Sequence, residues 1–367
     1  MSNSFLSVKE IARQALPRLI DNLVMPNLIH RDFSNDFVPG KGAQIQVRKP
    51  VILSAADFDA SSGVTAQDVK EESVTVTLDR LATVDVEFSA IEGATNVDDL
   101  NRLFVEPAAA ALAEKINADG LGLYADIPYI VGTAGTTPDA LDDFAAVRKM
   151  LNTNKVPLAP RRAIWDVDAD AEFTKLDSLV ECDKAGTSRA LREGEIGRVF
   201  GLDNYMSQAV KTHTKGTLAA GGTSAKITLK GAATGATSIT LDVTASASGT
   251  LTGTLKKGDI LTIGTSKVVV TADATASSNE IDVTVYPALT ASDNAEVTVM
   301  ANHVANLAFH PMAFAFVTRP LSTPAGVESY VTSFNGISLR VVRGYNMQYK
   351  KDGTAAAAKM AAPMIRT

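Results

Sequence analysis

Hydrophobic residues near the N-terminus recur at helical spacing. Ser7 to Glu10 matches a capping box, a sequence pattern that opens a helix. The apolar stripe that follows consists of Val8, Ile11, Ala12, Ala15, Leu16, Leu19, Ile20 and Leu23. Pro17 lies inside this stripe, so the pattern predicts a kinked helix or two short helices. An amphipathic arm over residues 1–38 can either pack on its own core or dock onto a neighbouring subunit.

From Gln44 the hydrophobic period changes to the alternation of a β-strand. A first strand runs to Leu53 and carries Pro50, which favours a sheet edge. A polar loop follows, and then a longer alternation whose apolar members are Val74, Val76, Leu78, Ala82, Val84, Val86 and Phe88. At about 3.3 Å per residue this run would reach roughly 50 Å. We expect residues 39–93 to form an extended hairpin that lies against another surface, because an isolated two-stranded arm is only marginally stable.

The next predicted element is a long helix. Thr95 or Asn96 can cap it, and Asp98 and Asp99 lie in its first turn, where carboxylates interact favourably with the helix dipole. Helical spacing continues to about Tyr124, which gives a length of about 40 Å at about 1.5 Å per residue. This helix would be the longest in the protein and a spine for the fold.

Shorter elements are predicted after the spine helix. They are a helix opened by Thr137-Pro138 and ending near Asn154, a strand over 162–167, a helix over 169–176, a Gly- and Arg-rich loop over 186–201, and, close to the C-terminus, paired strands over 336–349 that turn at Gly344.

Residues 212–302 differ in composition from the rest of the chain. Ala, Gly, Ser, Thr and Val dominate, and Tyr286 is the only residue of the Phe, Trp and Tyr class. Short alternating runs lie between turn signals at 226–230, 238–243, 249–255, 259–263, 267–271, 280–286 and 296–300. Such a series predicts a small all-β barrel or sandwich. Because modules survive insertion into surface loops, we expect this block to interrupt one core made of residues 94–211 and 303–367.

The overall composition is that of a globular protein with a mildly acidic surface. Of 367 residues, 46% are hydrophobic and 21% are charged, and the net charge is −6. A dedicated nucleic-acid binder needs a surplus of Lys and Arg, so the charge argues against that class. Cys182 is the only cysteine, which fits a reducing compartment. No signal peptide and no long apolar span is evident, so we expect a soluble intracellular protein without membrane contact.

Motifs for cofactor or metal binding are incomplete. Gly216 to Thr223 approaches a phosphate-binding loop, but Gly222 stands where the lysine is needed. The glycines at 194, 197 and 201 lack dinucleotide spacing, and the histidines at 30, 213, 303 and 310 lack metal-ligand spacing.

Two charged motifs also stop short of a site. Asp166, Asp168 and Asp170 alternate but lack the glycine and glutamate of a calcium loop. Arg161 and Arg162 could bind an acidic surface or form local ion pairs. We therefore expect no catalytic residues, no cofactor and no metal, and hence no enzyme.

The order of elements resembles the major capsid (coat) proteins of tailed bacteriophages, whose shared α+β fold is called the Hong Kong 97-type fold. Within that family the chain looks closest to Salmonella podovirus-type coat proteins, which carry an inserted β-domain. The stretches that carry the resemblance are Phe5 to Glu10 with Ala12 to Leu19, Glu106 to Ala113, Leu191 to Gly201, Asn306 to Phe314, and Arg319-Pro320-Leu321.

The resemblance implies a subunit that self-assembles into an icosahedral head shell around double-stranded DNA. It implies an N-terminal arm, an extended hairpin loop, a spine helix and an axial domain, with hexamers and pentamers as the assembly units. A scaffolding protein and a portal are implied partners, and the DNA is enclosed without specific binding. The virion, and the host cytoplasm during assembly, are the implied locations.

Candidate subunit-interface residues follow from these implied roles. They are Val8, Ile11, Leu19, Val76, Leu78, Val84, Arg192, Gly194, Gly197 and Gly201. The three glycines are expected to allow close approach of backbones.

Two other function classes stay open at the level of sequence. In one, residues 212–302 act as a non-catalytic, adhesin-like or carbohydrate-binding β module on an unrelated carrier. The scarcity of aromatic rings in this block argues against sugar binding, which usually uses stacked rings. In the other, the chain is an α/β enzyme whose site has no recognisable motif.

Overall fold

The computed structural model describes residues 8–31, 44–48, 53, 73–78, 80–89, 106–186, 189–222, 224–244, 249–324, 326–334, 337–346 and 351–361. The helices in these ranges are α1 (Val8–Asp21), α2 (Met25–Leu28), α3 (Glu106–Leu121), α4 (Leu141–Thr153), α5 (Val167–Phe173), α6 (Asp177–Val180), α7 (Cys182–Ala185) and α8 (Arg189–Glu193). Among them, none combines the length and hydrophobicity needed to cross a bilayer.

The strands follow the same chain order. They are β1 (Gln44–Arg48), β2 (Ser73–Thr77), β3 (Arg80–Ser89), β4 (Arg161–Trp165), β5 (Arg198–Val199), β6 (Leu202–Met206), β7 (Thr212–His213), β8 (Ala219–Gly221), β9 (Ile227–Lys230), β10 (Ala233–Val243), β11 (Thr250–Thr252), β12 (Thr254–Leu255), β13 (Ile260–Ile263), β14 (Ser266–Val270), β15 (Ala274–Thr275), β16 (Ile281–Ala291), β17 (Val297–Val299), β18 (His303–Val304), β19 (Leu307–Phe309), β20 (Val317–Arg319), β21 (Glu328–Phe334), β22 (Ile337–Asn346) and β23 (Lys351–Ala361).

The chain divides into two compact units. The terminal unit comprises Met1–Asn117 and Met312–Thr367, and the central unit comprises Ala118–Pro311. The predicted core of residues 94–211 and 303–367 is therefore shared between the two units, because its C-terminal part folds with the N-terminal part of the chain.

In the terminal unit, the N-terminal arm packs on its own chain. Helix α1 lies against β21 and β22, and Leu19 is fully buried. Asn117 on α3 accepts hydrogen bonds from the backbone N–H groups of Val24 (3.0 Å) and Met25 (3.2 Å), which fixes the start of α2. Of the two predicted positions for the arm, this structure has the intramolecular one. The helix also continues through Pro17 instead of splitting there.

The long alternation of residues 74–88 forms two strands that belong to different sheets. Strand β2 pairs antiparallel with β1, whereas β3 pairs antiparallel with the C-terminal β23. Strand β23 also pairs with β20 and β22, and β22 pairs with β21. The prediction of one continuous strand is wrong here, because alternation reports the period of a strand and carries no information about its partner.

Two further boundaries differ from the sequence prediction. Gly344 lies inside β22, opposite Gly353 of β23, and makes no turn. Helix α3 ends at Leu121 and passes into a 3-10 turn over Gly122–Asp126, and the predicted cap at Thr95 or Asn96 lies outside the described residues.

Helix α4 begins at Leu141, later than the Thr137-Pro138 signal indicates. The carboxylate of Asp143 explains the difference, because it accepts the backbone N–H groups of Asp139 (3.0 Å) and Ala140 (3.2 Å) and so caps the helix from its first turn. The helix ends at Thr153, next to the predicted end at Asn154.

The central unit contains a four-stranded sheet with its own aromatic core. The strand order is β19-β4-β6-β5, and β4 and β6 are parallel. Phe144 of α4, Trp165 of β4 and Phe173 of α5 pack together, with ring centroids between 4.3 and 5.3 Å apart. The predicted strand and helix at 162–176 are confirmed as β4 and α5.

The same unit contains a closed β-barrel between residues 219 and 299. Six strands follow the order β17-β13-β14-β16-β10-β9. The two ends of this order meet, because Leu229 of β9 donates to the carbonyl of Ala295 (3.0 Å) and accepts from the N–H of Asn294 (2.9 Å). Closure removes the exposed sheet edges. The predicted strands of this region are confirmed, and the barrel encloses a separate core of Leu, Ile and Val side chains.

Candidate assembly surfaces and the stem of the barrel

The predicted interface residues differ in how far their side chains are exposed to solvent. Leu19, Val76 and Leu78 are buried within the terminal unit, at 0–4% exposure, which favours a core role for them. Val84 is half-buried on β3. Val8 and Ile11 lie on α1, but their side chains are outside the described set.

The other candidates lie in α8, which contains Arg192, and in the segment between α8 and β6, which contains the three glycines. Arg192 and Gly194 are exposed, and Gly197 and Gly201 are half-buried. All three glycines have positive φ angles, of 69°, 71° and 83°. A Cβ added at any of them would meet no atom within 4 Å in this chain. Left-handed backbone, and not close approach within the chain, is therefore the reason glycine fits at these positions.

The segment between α8 and β6 is held by a contact to the aromatic core. Asn204 of β6 accepts a hydrogen bond from Trp165 Nε1 (2.9 Å) and donates one to the carbonyl of Gly197 (2.9 Å). This link holds the segment at Gly197. Leu191 of α8 and Phe200, which lie on either side of Gly197 in the sequence, are 68% and 43% exposed.

A two-stranded stem connects the barrel to the rest of the central unit. Strands β7 and β18 pair with His213 opposite His303 and Thr212 opposite Val304. The chain therefore enters and leaves the barrel at adjacent points, close to the composition boundaries at 212 and 302.

A buried polar network lies at this stem. The Tyr124 hydroxyl is 2.8 Å from His213 Nδ1, and His213 Nε2 is 2.8 Å from Asp259 Oδ1. Asp259 also accepts backbone N–H groups from Gly216 (3.0 Å) and Lys256 (2.7 Å). When His213 is neutral, the Tyr124 hydroxyl donates to Nδ1, and the Nε2–H group donates to the Asp259 carboxylate. This one tautomer gives both ring nitrogens of His213 a hydrogen-bond partner.

The environment shifts the pKa of two members of this network. Burial alone would raise the pKa of the Asp259 carboxyl, but its hydrogen bonds from His213, Lys256 and Gly216 outweigh burial and leave the pKa below the usual value. Burial, followed by the charge of Asp259, raises the pKa of the Tyr124 phenol. The network thus holds an ionised carboxylate and a protonated phenol.

Close backbone packing completes the stem. Gly258 has φ +95°, and a Cβ added there would lie 2.9 Å from Ala125 Cβ and 3.2 Å from His213 Cε1. Beside it, Lys257 Nζ forms an ion pair of 3.1 Å with Asp126 of the 3-10 turn. These contacts fix the barrel on the 3-10 turn that follows α3.

The spacing of His213 argued against metal binding and indicated no partner for it. Tyr124, His213 and Asp259 come from three distant segments, so no local spacing links them. Gly216, in the incomplete phosphate-binding loop, donates its backbone N–H to Asp259 of the stem. The part of the chain that the structure describes has no group of three His, Cys, Asp or Glu side chains suited to a metal.

No protein-family model and no curated protein matches this sequence. A solved structure from Mycobacterium phage Che8 matches 94% of this chain and 88% of its own, with a TM-score of 0.53 and 14% identity. A capsid structure of the cyanophage P-SCSP1u covers 89% of this chain and 81% of its own, with a TM-score of 0.46 and 13% identity. The bacteriophage PhiM1 mature capsid covers 89% and 80%, with a TM-score of 0.47 and 10% identity.

The likeness to the Che8 structure shows a shared fold over nearly the whole chain. The α+β phage fold predicted from the order of elements is confirmed at this level.

Proposed function

We propose that this chain is a structural shell subunit, the major capsid protein of a tailed phage. The observation that carries the proposal is the shared fold with the Che8 phage structure over 94% of the chain. The sequence resemblance to tailed-phage coat proteins, found independently of that comparison, supports the same role. The role is mechanical and requires no catalytic group.

The finer parts of the proposal concern assembly. Copies of the chain associate into hexamers and pentamers of an icosahedral shell, guided by a scaffolding protein and a portal in the host cytoplasm. The net charge of −6 supports enclosure of DNA without tight adhesion, because an acidic surface does not attract phosphates. The interface candidates that remain exposed or half-buried are Val84, Arg192, Gly194, Gly197 and Gly201.

The experiment is assembly of the purified chain. Sedimentation and negative-stain microscopy, with and without a scaffolding partner, should detect closed shells or tubular polyheads. A chain that stays monomeric under every condition contradicts the proposal.

The alternative of an adhesin-like module on an unrelated carrier is not favoured. The Che8 phage structure covers 94% of this chain, and the uncovered remainder is smaller than the barrel. The barrel and the rest of the chain therefore match the same phage structure.

For the barrel we propose a role in stabilising the folded subunit. The stem supports this role, since Thr212 and Val304 are paired neighbours and the barrel has its own closed core. Replacing residues 213–303 by a short Gly-Ser linker should lower the refolding yield and the unfolding midpoint. Unchanged yield and midpoint would instead favour a role in contacts between subunits.

A further inference from the structure

Charges of opposite sign are segregated along one stretch of the central unit. Residues 148–165 contain five cations and no carboxylate, namely Arg148, Lys149, Lys155, Arg161 and Arg162. Residues 166–195 contain nine carboxylates against four cations. In a chain with a net charge of −6, these are adjoining segments of +5 and −5.

Of these five cations, Arg148, Lys149 and Lys155 are exposed, and these three are named here the basic face. Arg161 is 2% exposed and donates to the carbonyls of Val156 (2.5 Å) and Pro157 (2.7 Å), which ties it to the loop after α4. Burial, followed by the charge of Arg148, lowers the pKa of the Arg161 guanidinium. Arg148, Lys149 and Phe200 line a shallow groove of about 370 Å³.

Across the described parts of the chain, none of the five cations makes an ion pair. The Nε of Arg162 is buried without any hydrogen-bond acceptor. Arg161 and Arg162 do not form the local ion pairs that paired arginines usually form. The exposed charges of Arg148, Lys149 and Lys155 are therefore available to a partner.

The acidic segment comprises α5 to α8. Its exposed carboxylates without an ion pair to any described residue are Asp168, Asp177, Asp183 and Glu193, named here the acidic face. Helix α6 packs against both α7 and α8, which brings Asp183 and Glu193 onto the same part of the unit.

Each face also carries exposed apolar side chains. Leu158 and Phe200 lie beside the cations, at 69% and 43% exposure, and Val167 and Leu191 lie beside the carboxylates, at 51% and 68%. An apolar centre within a charged surround is the usual composition of a protein contact.

We propose that the basic face of one copy binds the acidic face of the next copy, with Arg148 and Lys149 opposite Asp183 and Glu193. Such a contact joins two different surfaces, so its repetition generates a ring when the rotation between copies closes, which is the geometry that a shell subunit needs. The inference rests on the proposed shell function and identifies the surface that builds it. Complementary charge selects the partner and its register, and the apolar residues are buried at the centre.

The test is a set of charge reversals. One variant carries Arg148→Glu and Lys149→Glu, a second carries Asp183→Lys and Glu193→Lys, and a third carries all four changes. The matched control is Lys215→Glu with Lys267→Glu, two exposed lysines of the barrel region, which changes the net charge as the first variant does. Sedimentation velocity and negative-stain microscopy at low salt measure assembly, and circular dichroism with thermal unfolding verifies the fold.

Each two-residue variant at the faces should need a roughly tenfold or higher concentration to assemble, because like charges then oppose each other. The four-residue variant should assemble as the wild type does, since both faces are reversed together, and the control should also assemble normally. Wild-type assembly should weaken with added salt, which screens exposed charges.

Three results would overturn the inference while leaving the shell function standing. The first is normal assembly of both two-residue variants, and the second is a four-residue variant as defective as either. The third is a defect confined to the cation variant and not repaired by the other reversals, which would assign the basic face to another polyanion. Wild-type rings without shells would contradict the shell function alone, and a wild type that never self-associates would contradict both.

Discussion

At the residue scale, Asp259 concentrates the most interactions at the stem of the barrel. Its carboxylate is 1% exposed and accepts hydrogen bonds from His213, Gly216 and Lys256. A buried carboxylate is tolerated only when such donors replace the water that it has lost. Asp259 is therefore expected to be a stability determinant, although it begins an ordinary turn-to-strand segment in the sequence.

Replacing Asp259 by Ala should lower the free energy of unfolding by about 3 kcal/mol or more, because several buried donors lose their acceptor. Asp282→Ala is the matched control, since Asp282 is exposed and accepts one bond from Thr240 Oγ1 at 2.6 Å. The control should cost less than about 1 kcal/mol. Urea denaturation of both variants measures these free energies of unfolding. Equal losses in the two variants would contradict the role of Asp259 as a stability determinant.

The same residue predicts a pH dependence. The pKa of Asp259 is lower in the folded chain than in the unfolded chain, so its contribution to stability is present above the unfolded pKa of about 3.9. It is lost as the pH falls through the folded pKa. Below about pH 4 the unfolding free energy of the wild type should therefore fall faster with decreasing pH than that of Asp259→Asn. Parallel curves of unfolding free energy against pH would argue against a lowered pKa of Asp259.

Residue identity was easier to predict than the physical reason for it. The glycines at 194, 197 and 201 were predicted to permit close approach, whereas positive φ angles explain them within this chain. The sequence contains no signal for the contact of Tyr124 with His213, because 89 residues separate them. Such contacts depend on tertiary packing, which local patterns do not encode.

At the element scale, local periodicity predicted α1, α4, α5 and the barrel strands. It missed the short helices α2, α6 and α7, and the predicted loop over 186–201 contains α8 and β5. It failed where partners are distant, as when β3 pairs with β23 at the other end of the chain. It also left open what an amphipathic helix packs against. For α1 the structure gives that surface as β21 and β22 of the same chain.

A pair of leucines tests this assignment of α1. Leu19→Ala should cost about 2–5 kcal/mol in unfolding free energy, because it removes a fully buried side chain from the core. Leu191→Ala, at a position 68% exposed, should change the same quantity by no more than about 0.5 kcal/mol. Chemical denaturation of the unassembled subunit separates the two, and a small effect of Leu19→Ala would instead favour docking of the arm onto a neighbour.

At the scale of the whole molecule, the chain divides into two units whose boundaries differ from those of the domains predicted from the sequence. The C-terminal strands fold with the N-terminal arm, while the barrel, the aromatic core and the two charged faces belong to the central unit. The fold class was predictable because it depends on the order of elements. The division was not, because it depends on which distant strands pair.

The central claim is that this chain builds a shell, and assembly tests it most directly. The purified wild-type chain, mixed with a scaffolding partner and viewed by negative-stain microscopy after sedimentation, should form closed particles of uniform size. A fraction that stays monomeric at all concentrations, with and without that partner, would contradict the claim.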